Sequence, residues 1–116
     1  MPNRKFYITT PIYYVNDRPH IGTAYTTMAA DVVARFKRLQ GYEVMFVTGT
    51  DDNSEKNAIS AKREGIATKE YVDKMSAIFQ QTWDSLGLSF DRFIRTTEER
   101  HHKAVYEFWR RVEKNN

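Results

Sequence analysis

A histidine, a glycine and a threonine lie close together at the predicted start of a helix, where an anion could bind. His20, Gly22 and Thr23 end a loop that begins at Pro11. The first backbone N–H groups of a helix have no partner within it, and the helix dipole attracts negative charge there. The His20 ring could donate an N–H to a phosphoryl oxygen, and Gly22 leaves room for a nucleotide. The pattern indicates a phosphate site at this helix terminus.

A second candidate loop follows the next predicted strand and contains two adjacent carboxylates, Asp51 and Asp52. In an open parallel sheet, ligands bind beyond the carboxyl ends of the strands. We therefore expect the loops after Thr9 and Thr48 to form the site together. Neither G-x-G-x-x-G nor G-x-x-x-x-G-K-[ST] occurs among the five glycines, which disfavours a dinucleotide-binding redox protein and a P-loop nucleotidase.

The elements that must position these loops alternate between strands and helices. Runs of aromatic and β-branched residues predict strands at 6–10, 43–48 and 93–96. Apolar residues three or four apart predict helices at 22–40, 52–64, 68 to about 87, and 98–114. Because apolar strands joined by helices pair in parallel, this order predicts a doubly wound, Rossmann-like α/β sheet with helices on both faces.

Apolar side chains trace one face of each long predicted helix. In the first helix they are Ile21, Tyr25, Met28, Val32, Phe36 and Leu39. The buried side of the third is expected to contain Tyr71, Met75, Ile78, Phe79, Trp83 and Leu86. The last helix presents Val105, Phe108, Trp109 and Val112.

Composition limits the class of protein. The 116 residues are 41% hydrophobic and have the length of one domain. The longest apolar runs are far short of a membrane span, and no signal-peptide pattern opens the sequence, so we expect a cytoplasmic protein without a membrane partner. The chain has no cysteine, which excludes disulfides and thiolate metal sites within these residues. A net charge of +3 permits a nucleic-acid partner without requiring one.

The two loops contain motifs of a known enzyme family. Residues 10–16 read T-P-I-Y-Y-V-N, residues 19–23 read P-H-I-G-T, and residues 48–51 read T-G-T-D. In this combination the chain resembles, from Lys5 to about Asn115, the amino-terminal catalytic segment of the methionyl-tRNA synthetases, which are class I aminoacyl-tRNA synthetases. The resemblance implies the first half of a HUP-type Rossmann catalytic domain over 1–116. A connective insertion, the second half and an anticodon-binding domain are expected to lie outside this chain.

The resemblance implies a nucleotide site around the first loop. His20, Gly22 and Thr23 match the HIGH signature, which binds ATP and stabilises the α-phosphate under attack, so His20 and Thr23 are the expected catalytic residues. The ATP-contacting stretch adds Pro11, Tyr13 and Asn16.

The resemblance also implies an amino-acid site. Ile12 and Tyr14 match positions that line the methionine pocket, and Asp51 matches the carboxylate that binds the α-ammonium group. A branched aliphatic and an aromatic side chain suit a thioether, and a carboxylate suits an ammonium ion.

The implied reaction joins L-methionine to ATP, with Mg²⁺ as the expected ion, and then transfers the methionyl group to tRNA(Met). Zinc, where the family has it, would belong to the connective insertion and not to these residues. Since later strands would extend the sheet, we expect the first strand to be an exposed edge in this chain.

Two positions depart from the family pattern. Thr23 stands where the family usually has a second histidine, so a short hydroxyl replaces one donor to the phosphate. Asp52-Asn53-Ser54 stands where the family usually reads E-H-G. The second change indicates a loop of different shape.

Other interpretations stay open at this point. The chain could be a non-catalytic synthetase-like module that binds nucleotide, methionine or RNA, or another class I nucleotidyltransferase. His20 could be a surface histidine bonded to the backbone, and Asp51 could be an N-cap, a role that we favour for Asp52. One of Tyr13 and Tyr14 is expected in the core, because adjacent side chains of an extended segment point opposite ways.

A lysine-containing segment, a pair of histidines and a basic cluster resemble functional motifs but also have structural interpretations. Lys74-Met75-Ser76 begins like the K-M-S-K-S loop of class I synthetases but lies in the middle of a helix, so we reject that match. His101 and His102 are expected on a solvated helix face. A basic cluster could contact RNA, although its last two members also suit a helix carboxyl terminus; it comprises Arg92, Arg95, Arg100, Lys103, Arg110 and Arg111.

Overall fold

A computed structural model describes residues 4–115; Met1–Asn3 and Asn116 lie outside the described residues. No helix in this range is long and apolar enough to cross a membrane. All strand pairs are parallel, which confirms the predicted α/β class. The elements in chain order are β1 (Lys5–Thr9), β2 (Tyr13–Tyr14), α1 (Ile21–Leu39), β3 (Glu43–Asp51), α2 (Glu55–Glu64), α3 (Thr68–Ser85), β4 (Arg92–Arg95) and α4 (Glu99–Lys114).

Strand β3 is the centre of the sheet. Its first half pairs with β1, and its last two residues pair with β2. Strand β4 pairs with Val47 to Thr50, so β1 and β2 must lie along the opposite edge of β3. Within residues 4–115 no strand pairs with the outer edge of β1. The carboxyl ends of all four strands therefore open onto one side of the molecule.

The two-residue strand β2 was not predicted. After Pro11 the chain returns to β3, where Tyr13 lies opposite Thr50 and Tyr14 lies opposite Asp51. Tyr13 is 9% exposed and Tyr14 is 50% exposed, which confirms that one of the two tyrosines belongs to the core. A strand of two residues is too short to show a periodic pattern, so it could not be predicted from the sequence.

The core lies between the sheet and helices α1, α2 and α3. Tyr13 packs against Phe79 and Trp83 of α3, with ring centroids 6.2 and 6.1 Å away. The predicted buried side of α3 is largely confirmed, because Tyr71, Met75, Phe79 and Trp83 are all at most 4% exposed. Leu86 is an exception at 49% exposure, since it follows the last residue of the helix.

Helix α1 packs through a face other than its apolar stripe. Its buried residues are Thr27, Ala30, Asp31 and Ala34. Ala30 and Ala34 contact Phe46 of β3, because small side chains let the helix approach the sheet closely. The stripe from Ile21 to Leu39 is exposed. The apolar residues predicted on α4 are exposed as well, and α4 has no buried residue.

A buried carboxylate on α1 holds the segment before β4. Asp31 accepts hydrogen bonds from the backbone N–H and the hydroxyl of Ser89 at 2.7 and 2.5 Å, and pairs with Arg35 at 2.7 Å. Burial raises the pKa of Asp31, but the bonds from Ser89 and Arg35 outweigh it and hold that pKa below its ordinary value of 3.8. Asp31, although polar, is thus stabilised on the packed face of α1 by Ser89, which lies far along the chain.

Gly49 permits the close approach of β4 to β3. A Cβ atom added there would overlap the backbone carbonyl of Ile94, its register partner. We expect Gly49→Ala in the complete protein to lower the free energy of unfolding by about 3 kcal/mol or more, because the obstacle is backbone. Gly41→Ala is the matched control: Gly41 has open space but a φ of +82°, so its cost is about 1 kcal/mol. Urea unfolding midpoints measure both, and equal losses would contradict this account.

Candidate active site

His20 caps the amino terminus of α1 with its ring. Its Nδ1 accepts a hydrogen bond from the Gly22 N–H at 3.0 Å. In a neutral imidazole, an Nδ1 that accepts leaves the proton on Nε2, so the far side of the ring is a donor. The ring is therefore bonded to the backbone, and its Nε2 still has a hydrogen to donate.

Gly22 makes this arrangement of the ring possible. A Cβ atom at Gly22 would lie 2.8 Å from Cε1 and 3.0 Å from Nδ1 of His20. Any side chain at this position would push the ring away from the helix terminus. The glycine thus leaves space for the histidine ring itself, in addition to the space that we predicted for a nucleotide.

Thr23 completes the cap. Its hydroxyl accepts a hydrogen bond from the His20 N–H at 3.0 Å and donates one to the His20 carbonyl at 2.8 Å. Its one hydroxyl proton is therefore engaged within the chain. Thr23 holds the backbone of His20, and a bond from Thr23 to a phosphate would require that proton to leave its present partner.

The first loop is fixed to the core at three points. Thr10, which directly follows β1, and Thr48 of β3 share a buried hydroxyl contact of 2.6 Å. The Tyr13 hydroxyl lies 2.9 Å from that of Thr27 on α1. The Asn16 carbonyl accepts a bond from the Ser60 hydroxyl at 3.0 Å. The loop between these points leaves three of the predicted site residues exposed, namely Pro11, Ile12 and Tyr14.

Asp51 ends β3 directly beside Tyr14, so two of the residues expected in one pocket are neighbours in the sheet register. Its Oδ1 accepts long hydrogen bonds from the Asn53 N–H at 3.3 Å and the Thr96 hydroxyl at 3.4 Å. No hydrogen bond from residues 4–115 reaches its Oδ2. The half-buried carboxylate is thus oriented by one oxygen and free to bind a cation with the other.

Asp52 has a different role from the one predicted. The N-cap of α2 is Ser54, whose hydroxyl accepts the Lys56 N–H at 3.2 Å. The capping prediction for Asp52 is wrong, because β3 extends to Asp51 and α2 starts later than expected. Asp52 is 3% exposed and accepts bonds from Thr50 at 2.9 Å and Thr97 at 2.7 Å.

Arg95 of β4 neutralises this buried carboxylate. It lies 2.9 Å (Nε) and 2.8 Å (Nη2) from Oδ2 of Asp52, and its Nη2 also bonds Asp73 at 2.7 Å. Burial lowers the pKa of Arg95, but the bonds to Asp73 and Asp52 outweigh it and hold that pKa above its ordinary value. The Lys69 and Arg95 bonds likewise hold the pKa of Asp73 below its ordinary value. Arg95 therefore forms ion pairs inside the protein, in contrast to the RNA contact that was considered for the basic cluster to which it belongs.

No local pattern predicts this ion-pair network, because Asp52 and Arg95 are 43 residues apart. An open cavity of about 420 Å³ lies beside it, lined by members of the network and by Asn53, Thr68 and Lys69. None of the predicted site residues lines this cavity. It therefore lies next to the candidate site without being part of it.

The described residues do not fit a complete metal site. Residues 4–115 contain no group of three or more His, Cys, Asp or Glu side chains that could hold a metal ion. His101 and His102 lie on α4, with ring centroids 6.4 Å apart.

Curated relatives of similar sequence are methionine–tRNA ligases. That of Thermosynechococcus vestitus is 53% identical over 107 residues, which cover 92% of this chain and 20% of the relative. That of Thermotoga maritima is 50% identical over 111 residues, covering 96% and 18%. The chain thus spans about a fifth of the length of these relatives.

A solved structure with the same fold is Mycobacterium tuberculosis methionyl-tRNA synthetase in complex with methionyl-adenylate. It superposes with a TM-score of 0.93 at 46% identity, and the match covers 96% of this chain and 22% of that one. Residues 6–116 also match the family described as tRNA synthetases class I (M). Taken with the parallel sheet and the two loops at its carboxyl edge, these matches show that the chain belongs to the methionyl-tRNA synthetase family of class I.

Proposed function

We propose that the complete protein activates L-methionine with ATP and transfers the methionyl group to tRNA(Met). In the first step a carboxylate oxygen of methionine attacks the α-phosphorus, the bond between that phosphorus and the bridging oxygen breaks, and pyrophosphate leaves. The observation that supports this most is the pair of loops at one edge of the sheet. One loop has an open ring donor at a helix terminus, and the other has a carboxylate with a free oxygen.

His20 is proposed to stabilise the α-phosphate in the transition state. Its Nε2–H points away from the backbone bond at Nδ1, and the start of α1 adds positive potential. Charge grows on the phosphoryl oxygens as the carboxylate attacks, so a donor fixed in advance gains strength at that moment. Gly22 and Thr23 support this role by holding the ring and backbone of His20.

The amino-acid end of the substrate is proposed to lie against Asp51, Tyr14 and Ile12. Asp51 Oδ2 would accept a charge-assisted hydrogen bond from the α-ammonium group. The exposed faces of Tyr14 and Ile12 would contact the thioether, since sulfur packs favourably against aromatic edges. The M. tuberculosis synthetase, which was solved with methionyl-adenylate, is consistent with this use of the fold.

We propose more limited roles for the other residues predicted to contact ATP, which are Pro11, Tyr13 and Asn16. Pro11 is exposed beside the site, and Asn16 has a half-buried side chain and a carbonyl bonded to Ser60. The Tyr13 ring lies in the core, so a nucleotide contact by Tyr13 would use its backbone. Mg²⁺ would accompany the ATP phosphates and does not enter the roles given to these residues.

Methionine-dependent exchange of labelled pyrophosphate into ATP tests the proposal on the complete protein. We expect exchange with methionine and at least about 100-fold less with leucine or isoleucine, because a pocket that fits the unbranched methionine side chain would clash with a branched one. Charging of tRNA(Met) with labelled methionine tests the second step. Absence of exchange in a folded protein would support a binding module, and exchange driven by another substrate would support another nucleotidyltransferase.

A further inference from the structure

The hydroxyl of Thr96 lies between the two carboxylate residues at the end of β3. Its oxygen accepts a hydrogen bond from the Asp52 N–H at 2.8 Å, and its proton can reach Oδ1 of Asp51 at 3.4 Å. Thr96 is 7% exposed. A single buried hydroxyl thus contacts the backbone of one aspartate and the side chain of the other.

The surrounding bonds fix this hydroxyl in place. Asn53 Nδ2 donates to the Thr96 carbonyl at 3.3 Å, and the Thr96 N–H donates to the Thr50 carbonyl at 3.3 Å. The buried Asn57 amide donates to the carbonyls of Asp51 and Asp52, each at 3.0 Å. The carboxyl end of β3 is therefore held at the same time by Thr96, which follows β4, and by Asn57 of α2.

The neighbouring ion pair gives the two aspartates different electrostatic roles. The Asp52 carboxylate is fully buried, and the Arg95 guanidinium cancels its charge. Asp51 is adjacent in sequence, but its Oδ2 has no bond from residues 4–115. The carboxylate with a free oxygen at this edge of the sheet is thus the one that Thr96 orients.

We infer that Thr96 is a positioning residue for the amino-acid substrate: its hydroxyl orients the Asp51 carboxylate toward the substrate ammonium group. This inference rests on the proposed function and extends it to a residue that directly follows a different strand, β4. Thr96 acts through Asp51 and does not touch the substrate. Loss of its hydroxyl removes one of the two bonds to Oδ1 and leaves only the Asn53 N–H to orient the carboxylate, which weakens binding of the ammonium group.

The test compares three variants of the complete protein in pyrophosphate exchange. Thr96→Val removes the hydroxyl at nearly constant volume and is expected to raise the methionine KM about tenfold, the effect of one lost bond to a charged group. The ATP KM and kcat should stay within about twofold. Thr96→Ser keeps the hydroxyl and should have a methionine KM close to that of the wild type. Thr96→Cys introduces a thiol, which forms weaker hydrogen bonds, so its methionine KM should be intermediate.

The control is Thr82→Val, which removes the same group from a half-buried site in α3. The Thr82 hydroxyl donates to the Ile78 carbonyl and has no part in the site. A purely structural role for Thr96 would lower kcat through loss of folded protein and leave the methionine KM unchanged, and that result would overturn the inference. If Thr96→Val does not fold, the other two variants test the inference. It predicts a lower methionine KM for Thr96→Ser than for Thr96→Cys, and equal values for the two would overturn it.

A second comparison separates this inference from the proposed function. If the wild-type protein shows no methionine-dependent exchange, the proposed function fails and the inference fails with it. If the wild type exchanges and the Thr96 variants have its methionine KM, the inference alone fails. In an Asp51→Asn background, Thr96→Val should have no further effect on the methionine KM, because Thr96 acts through that carboxylate.

Discussion

Replacement of His20 by asparagine is expected to slow methionine-dependent pyrophosphate exchange by about 100-fold to 1,000-fold, the loss typical of one fixed donor to a developing anion. Asparagine is a favoured N-cap, and its side-chain oxygen can accept the Gly22 N–H that the ring now accepts. The variant therefore keeps the helix terminus and removes the Nε2–H. Methionine binding, measured by calorimetry without ATP, should change by less than about twofold, because the donor acts in the transition state.

Two further substitutions complete this experiment. His20→Ala removes the cap as well as the donor, so it should lose the same activity and about 1 kcal/mol of stability in addition. His102→Ala is the control, since it changes an exposed histidine on α4. If His20→Asn kept wild-type exchange while His20→Ala lost stability, the ring would be a cap and no more, and the proposed catalytic role would be wrong.

The second large effect is expected at Asp51. Asp51→Asn should raise the methionine KM about 50-fold, which corresponds to loss of a charge-assisted bond to the ammonium group. The asparagine oxygen can still accept the Asn53 N–H and the Thr96 hydroxyl, so the loop keeps its shape. The ATP KM should change by less than about twofold, because the proposed nucleotide contacts lie on the other loop.

The adjacent carboxylate provides the contrast. Asp52→Asn breaks the buried pair with Arg95, so we expect a loss of about 3 kcal/mol in unfolding free energy and a methionine KM near that of the wild type. Titration of exchange with methionine, together with urea unfolding, distinguishes the two aspartates. A methionine KM that rises more in Asp52→Asn than in Asp51→Asn would show that the substrate carboxylate has been assigned to the wrong residue.

Local patterns were sufficient to predict the order of all the elements except β2, and the place of the two loops. The alternation of apolar strands with helices led to the parallel sheet, and the glycines at 41, 65 and 87, all with positive φ, mark turns close to the ends of the first three helices. The opposite orientations of Tyr13 and Tyr14 followed from the twofold repeat of an extended chain. These features depend on residues close in sequence, which is why they could be read from it.

Features that depend on distant partners could not be predicted. The face of α1 that packs against the sheet is determined by contacts with Phe46 and Ser89. Neither residue belongs to the helix, so the periodicity of the helix sequence could not reveal this face. The position of Asp52 depends on Arg95, and the missed strand β2 depends on the free edge at the end of β3. In each case a contact across the fold outweighed a reasonable local preference.

The short strand β2 has a consequence for substrate length. Its sheet bonds tie it to Asp51, and the Tyr13 hydroxyl ties it to Thr27 on the helix that His20 caps. The proposed ammonium and phosphate contacts therefore belong to one rigid frame and lie at a fixed separation. A β-amino acid, whose ammonium is one bond of about 1.5 Å further from its carboxylate, would reach only one of the two contacts at a time. In this fold, α-amino acids would be distinguished from β-amino acids by the fixed separation of the two contacts, independently of the pocket that receives the side chain.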